Sequence, residues 1–216
     1  MKHTALLTLL AALAVGAALP LSAQTTPESS YGLLGSTYVA ADFGYTHHTD
    51  GGPSVLHDYA VTYHQSVFYQ EATGIDATLG YDTLSGSTRG ETTHRQAFDL
   101  GLTGYLTEPW GKPFITGALG WDWQRSDGQG SHSLAYTLST GVEFQLAKPL
   151  VFTPVLSYSG TPRLVTAPTA GTLPNFEWTY GGAFTYRLTR SWSTSLGATA
   201  DRNRDLTYKL GVGYHF

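Results

Sequence analysis

The chain of 216 residues contains no cysteine, so it has neither a disulfide framework nor a lipobox cysteine for acylation. Lysine is nearly missing, found only at positions 2, 112, 148 and 209. Asp, Glu, Lys and Arg together make up 13% of the chain, roughly half the ~25% usual for a soluble domain. A soluble β-protein normally covers its solvent face with Lys and Glu, and this composition cannot supply one. The net charge of −4 argues against nucleic acid as a partner. Past Leu21 there is no long apolar run, and mean hydropathy is −0.14. A chain with few charges and no second candidate for a spanning helix can still enter a bilayer, provided that it alternates.

The first residues read as an export signal. "MKH" is a short positive region, "TALLTLLAALAVGAALPL" is the apolar run, and Ala23 offers a small residue before "QTTPESS". The run from Ala5 to Leu19 is shorter than the ~20 residues a spanning helix needs. We therefore expect a signal peptide over 1–23, a short periplasmic segment over 24–30 and one domain over 31–216.

That domain alternates with period two, the period of a β-strand with unlike faces. "LTYKLGVGYHF" sets Leu206, Tyr208, Leu210, Val212, Tyr214 and Phe216 against Thr207, Lys209, Gly211, Gly213 and His215. "TYVAADFGYTH" sets Val39, Ala41, Phe43 and Tyr45 against Tyr38, Ala40, Asp42 and Gly44. "DYAVTYHQSVFY" places Tyr59, Val61, Tyr63, Val67 and Tyr69 on one face, opposite Asp58, His64 and Ser66. Ten such segments follow one another, the weakest being those around Pro154 and Ala200; if one hairpin is a loop, eight strands remain. The links alternate between tight turns such as "AKP" and longer polar stretches such as "GTPRLVTAPTAGTLPN".

The expected fold is all-β: a closed, antiparallel, up-and-down transmembrane barrel of about ten strands. Short turns would lie on the periplasmic side and long loops outside. Aromatic residues cluster towards strand ends, with Tyr45, Trp121, Trp123, Phe176 and Trp178 at the outer rim. Trp110, Phe114, Phe144, Tyr186, Trp192 and Phe216 would form the periplasmic girdle.

The opening "GSTYVAADFGYTH" and the closing "YKLGVGYHF" resemble the first strand and the C-terminal β-signal of the small outer-membrane barrels of Gram-negative bacteria, the OmpA-like and opacity-type porin barrels. The resemblance spans roughly 31–216 and implies a place in the outer membrane, among outer-membrane lipid and lipopolysaccharide. It implies handling by periplasmic chaperones and the barrel assembly machinery, which would read Tyr208, Leu210, Val212, Tyr214 and Phe216 as an insertion signal. The departure is the count, ten strands where OmpA-like barrels usually have eight.

Parity turns Asp42, His64, Asp76, Asp99, Asp122, Glu143, Glu177, Arg187 and Lys209 into the lumen, with Asp58, Asp82, Arg95 and Asp201. Energy agrees, since a cation facing lipid near the midplane costs about 2–4 kcal/mol. Two readings stay open: a plug of mutually satisfied charges, or a narrow acidic path for small solutes and ions that favours cations.

Other constellations are weaker. His64 and Ser66 are spaced like the His-x-Ser pair of lipid A deacylases, yet parity points them away from lipid. Asp82, His94, Asp122 and His132 have the residue types of an omptin-like site, and His47, His48, Asp50, His57 and Asp58 could hold a metal. Loop acids and histidines are the commoner explanation in both cases. The expected function is therefore a porin-like or structural envelope barrel, without catalytic residues, cofactor or metal. The alternative is a non-conducting surface barrel whose loops mediate adhesion or recognition.

Overall fold

A computed structural model describes residues 32–47, 55–88, 91–126, 129–160, 177–202 and 204–216. The expected signal peptide, the 24–30 segment, Phe176, His48, Asp50 and most of the longest link lie outside them. Ten antiparallel strands follow in chain order: β1 (Tyr38–His47), β2 (Val55–Gln70), β3 (Thr73–Thr88), β4 (Glu91–Leu106), β5 (Lys112–Ser126), β6 (Gln129–Ala147), β7 (Leu150–Gly160), β8 (Glu177–Arg187), β9 (Trp192–Asp201) and β10 (Leu206–His215). Each pairs with its sequence neighbours, and β1 pairs with β10 to close the barrel. The seam runs from Tyr38 opposite His215 to His47 opposite Leu206. The stretches around Pro154 and Ala200 are full strands, Pro154 facing Gly182 and Ala200 facing Tyr180. The count is therefore ten.

Strands β1 and β7 to β10 have 10 or 11 residues, the length a tilted strand needs to cross the hydrocarbon. The wall is inside out relative to a soluble domain. Its outward face carries Leu100, Leu102, Leu119 and Leu196, each about 60% exposed, while the most deeply buried side chains include Asp76, His64 and Glu143. Such an apolar exterior is stable only against lipid. Inside, hydroxyls join neighbouring strands: Thr103 to Thr116 at 2.8 Å, Ser139 to Ser157 at 2.8 Å and Thr46 to Thr207 at 2.8 Å.

Two placements differ from the sequence expectation, one by parity and one by girdle assignment. A bulge between Ser66 and Phe68 shifts β2 by one residue, so Tyr69 turns inward and stacks on Tyr105 with ring centroids 6.5 Å apart. Phe114 is not in the periplasmic girdle. It lies on the inner face of β5, where its ring covers Gly141 of β6 and lines an interior cavity. The other girdle residues that the structure describes are exposed or stacked at the outer surface, such as Trp192 on Tyr214 with ring centroids at 5.1 Å and Trp110 near Phe144 at 6.3 Å.

Candidate functional site: a sealed acidic lumen

The segment before β1 does not leave the barrel. Gly32–Thr37 bends back into the lumen at the end where β1 begins and β10 finishes, through a turn in which Ser36 N donates to Leu33 O at 3.2 Å. Gly35 takes φ +84° there, a left-handed conformation that side-chain-bearing residues avoid. A Cβ at Gly35 would also press on the Tyr105 hydroxyl, and one at Gly32 would strike the Glu143 carboxylate.

The barrel wall holds this segment by its backbone. Leu33 N and Leu34 N donate to Glu143 Oε2 at 2.7 and 3.2 Å. Gly35 N donates to Asp76 Oδ2 at 2.8 Å. In the other direction Lys112 Nζ donates to Leu34 O at 2.7 Å, His64 Nδ1 to Ser36 O at 2.9 Å and Arg187 Nη2 to Gly32 O at 3.3 Å. Amide donors thus meet carboxylates, and carbonyl acceptors meet basic side chains. Lys112 Nζ is also 3.7 Å from Glu143 Oε1, and His64 Nε2 is 3.5 Å from Asp76 Oδ2. Phe216 N donates to Thr37 O at 3.1 Å, tying the last residue to the segment's exit. Tyr38 fills the remaining space between His64 and His215, with ring centroids 4.7 and 5.1 Å away.

Towards the long-loop end the lumen changes character. Asp42, Asp58, Asp82, Asp99 and Asp122 line it against Arg95 and Lys209, and Glu177 and Asp201 stand where β8 and β9 emerge. Arg95 forks onto both carboxylate oxygens of Asp122 at 3.1 and 3.3 Å, and Lys209 Nζ sits 3.2 Å from Asp58 Oδ2. Acids outnumber bases here, so pairing leaves negative charge over. Exposure separates the two regions. The Arg95 and Lys209 side chains are 36% and 45% exposed, whereas those of Asp76 and Glu143 are 0% and 5%. Among the described residues, the exposed polar surface of the lumen lies in the acidic part and falls away at the seal. Between them lies a cavity of about 470 Å³, floored by Leu33 and Leu34 and walled by Phe114, Thr103 and Thr116.

Among the lumen candidates, the structure brings His64, Asp76, Glu143 and Arg187 together around the segment. Asp42, Asp99, Asp122 and Lys209 belong to the wet acidic part, and Glu177 to its rim. Tyr208, Leu210, Val212, Tyr214 and Phe216, the residues expected to form an insertion signal, all face outward. Sequence reasoning missed Lys112, Tyr105 and the segment itself. Lys112 has the inward parity of its neighbour Phe114, and that was the available signal.

The remaining constellations come apart. His64 is occupied by Ser36 O, and Ser66 contacts Asp76 within the seal. His94 and His132 stand on the outer face and Asp82 and Asp122 on the inner one, so the wall separates the members of the omptin-like set. His57 stacks on Phe43 outside while Asp58 points inward to Lys209. No group of His, Asp or Glu among the described residues is arranged to hold a metal ion.

No family model matches the chain, and no curated protein matches it. Among solved structures, the fold is similar to the transport unit of the autotransporter AIDA-I from Escherichia coli, with TM-score 0.51 and 10% identity over 90% of this chain and 94% of that one. It is similar to the beta domain of the Bordetella autotransporter BrkA, with TM-score 0.51 and 11% identity over 84% of this chain and 99% of that one. The NanC porin follows at TM-score 0.47 and 9% identity, over 82% and 100%. Identities this low speak for a shared membrane-barrel fold and for nothing finer.

Proposed function

We propose that the chain is an integral outer-membrane barrel of the Gram-negative envelope, a porin-like pore that leans towards cations and is closed at rest by its own Gly32–Thr37 segment. The observation that carries this reading is the contrast along one lumen: a net-acidic part with exposed side chains towards the long-loop end, and a buried seal made of hydrogen bonds to one bent segment of backbone. An acidic, narrow path raises the local concentration of cations and repels anions. In this reading residues 1–23 direct export, and periplasmic chaperones carry the chain to the barrel assembly machinery, which reads the last strand. The kinship with OmpA-like and opacity-type barrels belongs to the same reading, and no catalytic residue or cofactor is assigned.

The test is conductance in a planar bilayer under a salt gradient, for the wild-type barrel and for one lacking Gly32–Ser36. Rare openings in the wild type and frequent, cation-selective steps in the deletion are expected. A deletion variant that folds and inserts yet stays silent would mean that the Arg95–Asp122 and Lys209–Asp58 pairs block the lumen themselves. The protein would then be a non-conducting surface barrel, and its loops would carry the function.

A further inference from the structure

Every lysine and arginine side chain described in the strands except one points into the lumen. Arg95, Lys112, Arg187 and Lys209 are inward, each held by a carboxylate or a backbone carbonyl. Arg125 on β5 points out. Among the described residues no carboxylate lies within ion-pair distance of it, although it sits on the face that meets lipid.

Its surroundings explain how it is tolerated. The outward residues of β4, β5 and β6 form three rows in register towards the long-loop end. The first is Phe98, Trp121 and Leu134; the second is Gln96, Trp123 and His132; the third is His94, Arg125 and Gly130. That order runs from apolar, through aromatic and polar, to basic, and it matches the passage from hydrocarbon through the interface to the headgroups. Trp121 stacks on the His132 ring at 5.6 Å with 22° between planes, which fixes the imidazole beside Trp123. Gly130 puts no side chain next to Arg125, and nothing lies within 4 Å of where its Cβ would be. The result is an open depression of about 750 Å³ on the outer wall, bounded by His94, Gln96, Trp123, Arg125 and His132.

We infer that this depression is a binding site for a phosphate group of an outer-leaflet glycolipid, an inference that rests on the outer-membrane reading above. Arg125 supplies the planar fork that pairs two guanidinium donors with phosphate oxygens, and His94, directly opposite on β4, adds a ring N–H. The exposed Trp123 ring offers an apolar face to a sugar, with Gln96 as a neighbouring hydrogen-bonding group. A phospholipid would use the arginine but not this sugar-sized polar and aromatic surround, so the site commits to the glycolipid. Binding there would anchor the barrel vertically and rotationally in its leaflet.

The experiment uses protein extracted from membranes in mild detergent, with native mass spectrometry counting bound lipid as diphosphoryl lipid A, monophosphoryl lipid A or phosphatidylglycerol is titrated in. We expect diphosphoryl lipid A to bind with Arg125→Ala about tenfold weaker than the wild type. Arg125→Lys should fall in between, and the monophosphoryl form should lose most of the difference. All variants should keep the compact, unheated gel mobility of an intact barrel. Equal affinity of wild type and Arg125→Ala for diphosphoryl lipid A overturns the inference, as does phosphatidylglycerol binding as tightly with the same dependence on Arg125. Either result leaves the barrel reading standing, whereas failure of the wild type to insert into any bilayer overturns that reading first.

Discussion

Replacing Glu143 with alanine should release the segment that seals the lumen. The carboxylate accepts from Leu33 N and Leu34 N and faces Lys112. Hydrogen bonds to a charged group contribute about 1.5–3 kcal/mol each, and removing one partner of a buried charge pair costs about 3–5 kcal/mol. Lys112 keeps its bond to Leu34 O, and Asp76 keeps Gly35 N, so part of the anchoring survives. A loss of about 3 kcal/mol from the docked state is the resulting expectation, or roughly a hundredfold in its population ratio. Amide hydrogen exchange reads this directly. The Leu33 and Leu34 amides should exchange about a hundredfold faster in Glu143→Ala, while amides in β4 and β5 keep their protection. Glu143→Gln retains an acceptor without the charge and should show a smaller increase. In the same variant, channel openings should become frequent. Unchanged exchange at Leu33 and Leu34 in a folded Glu143→Ala barrel would falsify the argument that this carboxylate holds the seal.

Gly35→Ala attacks the same seal from the segment's side, through the positive φ and the Tyr105 contact. It should open the pore without changing the ion selectivity of the open state. Lys209→Gln removes a positive charge from the wet lumen and leaves Asp58 unpaired, so the reversal potential under a salt gradient should move further towards that of a cation-selective pore. Glu71, in the tight turn between β2 and β3, adopts φ +54°; Glu71→Gly should stabilise the barrel by about 0.5–1 kcal/mol against urea. Deleting Phe216 removes an outward ring, 67% exposed, and the bond to Thr37 O. Assembly in cells should fall several-fold, while refolding into detergent in vitro should change little.

Most of the wall was legible in the sequence, because a strand buried on neither face in the ordinary sense must still sort its residues between lipid and lumen, and that sorting repeats every two residues. The outward run from Tyr208 to Phe216 and the inward Asp42, Asp99 and Glu143 follow from it. The reading failed at two places in the wall. Tyr69 turned inward because of a bulge after Ser66 that no composition signal marks. Phe114 has the inward parity, but its aromatic character suggested a girdle, and the glycine that makes room for it is Gly141 on another strand. The seal was the largest omission. Gly32–Thr37 has no period and no charge, and the side chains of the wall that partner its backbone lie 28 to 155 residues away. In one of the two open readings, inward acids and bases satisfied one another. The lower set instead satisfies a stretch of main chain, which leaves no trace in side-chain identity.

That last feature changes what a mutation in the segment can do. Glu143, Asp76, Lys112, His64 and Arg187 grip atoms that every residue but proline possesses, so the lock is indifferent to most of the letters written on its key. Leu33, Leu34 and Ser36 can be exchanged for other side chains of modest size while the same N–H and C=O groups keep their partners. The two glycines are where spelling matters. The segment should thus drift freely through its neutral variants while the wall around it stays put, and a foreign peptide able to take the same glycine turn, offered from the terminal side, would fit the same grip.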